Sequence, residues 1–95
     1  MDYASFKESL KKERPPADLP PALAALWWVG KDKWDAAHRI VMEEADDNCA
    51  WVHAHLHRVE GDLDNARYWY RRARRPEAAG SLDEEWAAIA QTLLQ

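Results

Sequence analysis

The sequence predicts an all-α protein, a compact stack of five to six short antiparallel helices, and three features carry that expectation. Apolar residues recur at steps of three and four rather than two, the spacing of a helix face. Gly30, Gly61 and Gly80, with prolines at 15, 16, 20 and 21, cut the chain into helix-length segments. The links between the middle segments are only a few residues long, which makes consecutive helices antiparallel neighbours. With 95 residues the chain makes a single domain, and a domain this small must extract a great deal from each buried side chain.

Residues 3–13 form a first short helix, with Tyr3, Phe6 and Leu10 on one face. The ERPPAD stretch that follows is a linker, because a residue before proline is pushed out of helical geometry. Residues 20–29 form the second helix. Its prolines suit the first turn, Leu19, Leu23, Leu26 and Trp27 make its stripe, and Gly30 is expected to close it in the left-handed conformation. The third helix, 32–45, carries Trp34, Ala37 and Val41 on one face, with Asp32 as its expected N-cap. The fourth, 48–60, is capped by Asp47. Its W-V-H-A-H-L-H run alternates like a strand, but nothing else in the chain offers a pairing partner, and a lone strand leaves its backbone groups unpaired. The fifth, 62–75, has Asp62 as its cap and Leu63, Ala66, Trp69, Tyr70 and Ala73 as its stripe. The sixth, 82–94, opens with a Ser81/Glu84 capping box and carries Leu82, Trp86, Ile89, Ala90 and Leu93.

Composition excludes several functions. Charged residues of mixed sign make up 32% of the chain and the net charge is −4, whereas phosphate backbones select a basic excess; nucleic acid is not the expected partner. The longest apolar run, ALAALWWV at 22–29, is far too short to span a bilayer. The N-terminal MDYASFKESLKKERPP lacks the apolar region of a secretory signal. A single cysteine, Cys49, allows neither an internal disulfide nor a cysteine-based zinc knuckle. The expectation is a cytoplasmic protein.

The segment GDLDNARYWYRRA, 61–73, resembles the second half of a tetratricopeptide repeat, which has a Gly-Asp turn followed by a helix of small, aromatic and small residues. Ala66, Tyr70 and Ala73 hold those places, Pro76 stands near the repeat end, and Ala54 is the small residue of the preceding helix. KDKWDAAHRIV, 31–41, resembles a second copy, with Trp34 matching Leu63 and Ala37 matching Ala66. His53 and His57 stand where the repeat carries Leu and Tyr. The stretch 51–62 also looks like short bacterial proteins carrying W-V-H-A-x-L-H-R-x-E-G-D. The resemblance implies a domain of three parts: an N-terminal helix and Pro-rich linker at 1–19, two degenerate αα-hairpins at 20–76 and a capping helix at 77–95. It also implies a non-enzymatic interaction module with a protein or peptide partner.

The histidines suggest different chemistry. At 100° per residue, His53, His57 and Glu60 fall within about 60° of one helix arc, in the middle of the face expected to meet the core. Two histidines at i, i+4 can ligate one divalent ion, as in the H-E-x-x-H metalloproteases. Glu60 is placed as a third ligand or as an acceptor behind one of them, and His38 on the preceding helix is the outside member. The Glu that follows the first His in those proteases is Ala54 here, so hydrolysis is not expected. The competing reading is a core cluster whose imidazoles donate to Glu60, Glu43 or Glu44. His55 points to the opposite side and is expected in solvent or stacked on a neighbouring ring. Cys49, four residues before His53, has the spacing of an activated thiol, but a small apolar filler is the preferred reading.

Two surfaces complete the picture. Arg67, Arg71, Arg72, Arg74 and Arg75 gather charge at a helix C-terminus, where the macrodipole favours it, and with Tyr68 they form a face for an acidic partner. The acidic run EEADD, 43–47, could meet those arginines on a second copy and make a homodimer. Trp27 and Trp28 are adjacent, so they cannot share a face, and Trp28 is the expected interface anchor. Two functions therefore stand open: an interaction module using the arginine face and Trp28, with no cofactor, or a binder of a divalent metal or small ligand built on His53, His57, Glu60 and His38.

Overall fold

A computed structural model describes residues 1–95. Six helices follow one another with no strand: α1 Tyr3–Glu8, extended by a 3₁₀ turn at Ser9–Lys11, then α2 Pro21–Gly30, α3 Trp34–Glu43, α4 Asp47–Val59, α5 Leu63–Ala73 and α6 Leu82–Leu93. Every helix expected from the spacing is present, with ends that move by no more than two residues when the 3₁₀ turn is counted with α1. The Cα radius of gyration is 12.1 Å, close to the ~12.4 Å of a compact chain of this length, so the helices fold onto one core.

Helix starts follow side-chain chemistry. Asp2, Asp46, Asp62 and Ser81 each accept a hydrogen bond from a backbone N–H in the first turn of the following helix. Ser81 and Glu84 form the expected reciprocal capping box. Three local expectations are corrected. Asp46 rather than Asp47 caps α4, because its carboxylate is the one that reaches Cys49 N, at 2.7 Å. Lys33 rather than Asp32 precedes α3, and Asp32 itself takes the left-handed conformation at φ 59°. Gly30 stays helical because the turn is made two residues later. What its missing side chain allows is close packing: a Cβ there would lie 3.0 Å from Leu10 and 3.1 Å from Trp86. The left-handed glycine is Gly61, at φ 85° in the turn from α4 to α5, where a Cβ would be strained.

α2 pairs with α3 across residues 31–33, and α4 pairs with α5 across residues 60–62. Links this short reverse the chain and hold each pair side by side. α6 lies against both α2 and α4. The N-terminal helix closes the same end: Phe6 is fully buried and stacks on Trp86 at 5.7 Å, while Trp27 Nε1 donates to Ser9 Oγ. Trp86 Nε1 donates to Leu26 O, so each of these large rings buries its apolar body and still satisfies its N–H. No helix is long and apolar enough to cross a membrane.

α4 is the central helix. It meets α2, α3, α5 and α6, and every residue from Cys49 to His57 is buried. This position decides the fate of His53, His55 and His57, none of which can turn to water.

Candidate metal centre

Three of the four histidines come together where α3 crosses α4. The first turn of α3 presses Trp34 onto α4, and its Nε1 donates to Leu56 O at 2.8 Å. One turn later His38 stacks on Trp34 with centroids 4.6 Å apart. That places His38 Nε2 3.1 Å from His53 Nε2. His57, one turn along α4, stacks on His53 at 4.9 Å. Ring nitrogens of His38, His53 and His57 all lie within 4.8 Å of one another. Trp69 of α5 closes the other side, stacked on His53 at 3.9 Å and 14°.

Glu60 ends α4 and folds back on it. Its Oε1 accepts from His57 Nδ1 at 2.5 Å. A carboxylate on Nδ1 fixes the tautomer and leaves the lone pair on Nε2. Glu60 is thus an orienting acceptor rather than a member of the triad. Asp62 also lies near His57 and Glu60, but it is exposed and its carboxylate caps α5.

The cluster carries an internal conflict. Two imidazoles 3.1 Å apart at Nε2 can share only one proton. His53 Nδ1 is buried and finds no partner at all, and whichever tautomer forms, one buried nitrogen stays unsatisfied. Protonation does not resolve it. Burial, reinforced by the charges that His57 and His38 would carry, pushes His53 down to about 4. Burial and His57 push His38 down as well, against the pull of Glu60 and Asp35. Near neutral pH both rings are therefore uncharged, and each has a lone pair. Beside His53 lies a cavity of ≈ 170 Å³ walled by Glu43, Glu44, Asp46, Trp69 and Arg72.

The fourth histidine departs from expectation. His55 is 2% exposed, because α6 covers the side of α4 that would otherwise face water. Its Nδ1 donates to Glu85 Oε1 at 2.7 Å. Arg58 Nη1 donates to the same oxygen at 3.1 Å, and the Tyr70 hydroxyl donates to Glu85 Oε2. Burial alone would raise Glu85. The bonds from His55, Tyr70 and Arg58 outweigh it and hold the carboxyl below its ordinary value. Burial and the bond to Glu85 raise Tyr70. Glu85 and Tyr70 were absent from the sequence-based site, although the signal existed: Glu85 sits three residues after Leu82 and four before Ile89, on the apolar stripe of α6.

Cys49 is buried, and burial together with Asp46 pushes its thiol up to about 12. It is a filler, as the sequence suggested. The arginines mostly turn inward to their own chain. Arg67 pairs with Asp64 at 2.8 Å and Glu77 at 3.1 Å. Arg72 lies over Trp69 and Arg75 over Trp51, the latter at 4.0 Å. Arg74, left-handed at the end of α5, is 3.8 Å from Asp47, so that acidic residue meets its arginine within one molecule. Arg71 and Tyr68 are exposed. Trp28 is half-buried, edge-on to the fully buried Trp27.

No protein-family model, curated protein or solved structure matches this chain.

Proposed function

We propose that this protein binds a divalent transition metal through His38, His53 and His57, with Glu60 orienting His57 from behind. The observation that carries the reading is the convergence of three imidazole rings whose nitrogens lie within 4.8 Å of one another, with His38 and His53 meeting at Nε2. Imidazole suits zinc, copper and nickel. Two nitrogens on a tetrahedral zinc are ~3.3 Å apart, given Zn–N bonds of 2.0–2.1 Å; His38 and His53 stand at 3.1 Å. Histidine ligands commonly donate their other nitrogen to a carboxylate, as His57 does to Glu60. The acidic wall of Glu43, Glu44 and Asp46 beside His53 favours cations over anions at the approach. When bound, the ion would tie α3 to α4.

A metal that binds only the folded chain raises stability by about 2.7 kcal/mol at a hundredfold excess over its dissociation constant. Thermal unfolding in EDTA and then with zinc, nickel or copper tests the reading. It expects a higher midpoint in the parent and no rise in His53→Ala or His57→Ala. A parent midpoint that none of the three ions moves would overturn it.

The interaction reading is supported by a separate observation, the exposed aromatic Tyr68 beside the free Arg71 on α5. It requires no metal, and recovery of a stoichiometric partner that is lost on Tyr68→Ala would establish it.

A further inference from the structure

A second cleft lies on the opposite side of α4, between α1, α2 and α6. It holds ≈ 430 Å³ and its walls include Tyr3, Leu10, Val59, Leu82 and Trp86, with His55 among them. That volume is within the range of small-molecule pockets, which combine apolar walls with a few placed polar groups. Gly30 belongs to the lining and keeps Leu10 and Trp86 close, since a Cβ would press on both.

His55 is the placed polar group. Its Nδ1 is committed to Glu85, and Glu85 is locked in turn by Arg58 and Tyr70. No protein group pairs with His55 Nε2, and that atom, unlike His53 Nδ1, is not sealed away from the surface. The residue is 98% buried and is among those that line this cleft. With Nδ1 engaged by Glu85, Nε2 is the ring's one polar atom left for a ligand, and its direction is fixed.

We propose that this cleft binds a small hydroxylated aromatic molecule, its ring against Trp86, Tyr3 and Leu10 and its hydroxyl donating to His55 Nε2. The binding is independent of the three-histidine centre, which uses other residues on the far side of the helix. An aromatic ring suits the indole, phenol and aliphatic groups of the lining, which Lys7, Asp32 and Asp83 complete. A hydroxyl suits an acceptor held rigid by three hydrogen bonds behind it.

Phenol is the probe, and toluene is its counterpart of similar shape with no donor. Titration of the full chain, followed by nitrogen and proton chemical shifts, is expected to show saturable changes at Trp86 and at His55 Nε2 with phenol. Toluene should bind about three- to tenfold more weakly, the worth of one net hydrogen bond. Val59 is exposed on the rim, so Val59→Trp can fill the cleft without disturbing the core. That variant should lose phenol binding while its far-ultraviolet dichroism and its response to zinc match the parent. Three results would overturn the proposal: phenol shifts no residue of the cleft, toluene binds as tightly as phenol, or Val59→Trp binds phenol as the parent does.

Discussion

Two polar clusters flank α4, and they solve the problem of burial in opposite ways. On the α6 side, His55, Arg58 and Tyr70 surround one carboxylate, and Glu85 answers all three with its two oxygens. Charge is balanced and the buried atoms are paired. On the α3 side, three imidazoles face one another with a single orienting carboxylate at the edge, and His53 Nδ1 has nothing. The same residue type, two positions apart on one helix, is a finished network in one place and an open set of donors in the other. A satisfied buried network stiffens the fold. An unsatisfied one costs stability.

Mutation should separate the two sides sharply. Glu85→Ala strands His55, Arg58 and Tyr70 together and is expected to cost about 3–5 kcal/mol in urea unfolding, the usual penalty for breaking a buried pair. His55→Leu removes one bond of the same set and should cost about 1–3 kcal/mol. His53→Leu is the counter-experiment. In EDTA it should stay within about 1 kcal/mol of the parent, because the departing ring carries an unpaired nitrogen. A His53→Leu loss as large as that of Glu85→Ala would erase the distinction between the clusters.

Acid should attack the α3 side through the same residue. His53 ionises near 4 in the folded chain against 6.5 in the free side chain. Between those values the unfolded chain takes up a proton that the folded chain refuses. Stability of the metal-free protein is therefore complete above about pH 6.5 and falls by about 3 kcal/mol as the pH drops to about 4. The groups around the ring are His38 from α3, His57 from α4 and Trp69 from α5. In His53→Leu most of this pH dependence should vanish, and urea midpoints from pH 4 to 7.5 would show it. Smaller effects sit outside both clusters. Cys49, with its thiol near 12, should resist iodoacetamide at pH 8 in the folded protein and react once denatured. Arg67→Ala breaks only exposed pairs and should move stability by no more than about 0.5 kcal/mol.

Much of this architecture was legible in the residues. Caps, glycines and three-four spacing place all six helices, because those signals act within a single turn. The i, i+4 pair His53 and His57 was legible for the same reason. His38 was only an outside member, since its place depends on how α3 lies on α4, and that is set by Trp34 reaching Leu56 O. His55 was misplaced because a helix wheel assumes one wet face. Between Cys49 and His57 α4 has none: α6 supplies Glu85 from 30 residues away. The shift of the α4 cap from Asp47 to Asp46 is a smaller case of the same limit, where two adjacent aspartates are equivalent until one reaches Cys49 N.

The measurement that tests the central claim most directly is a long-range nitrogen–proton spectrum of the four histidine rings, recorded before and after one equivalent of zinc. The expected result is a large shift at Nε2 of His38, His53 and His57, with Nδ1 of His57 keeping its proton and both nitrogens of His55 unmoved. Zinc that shifts His55 as much as the other three, or that shifts none of them, would contradict the division of α4 into a closed network and an open metal centre.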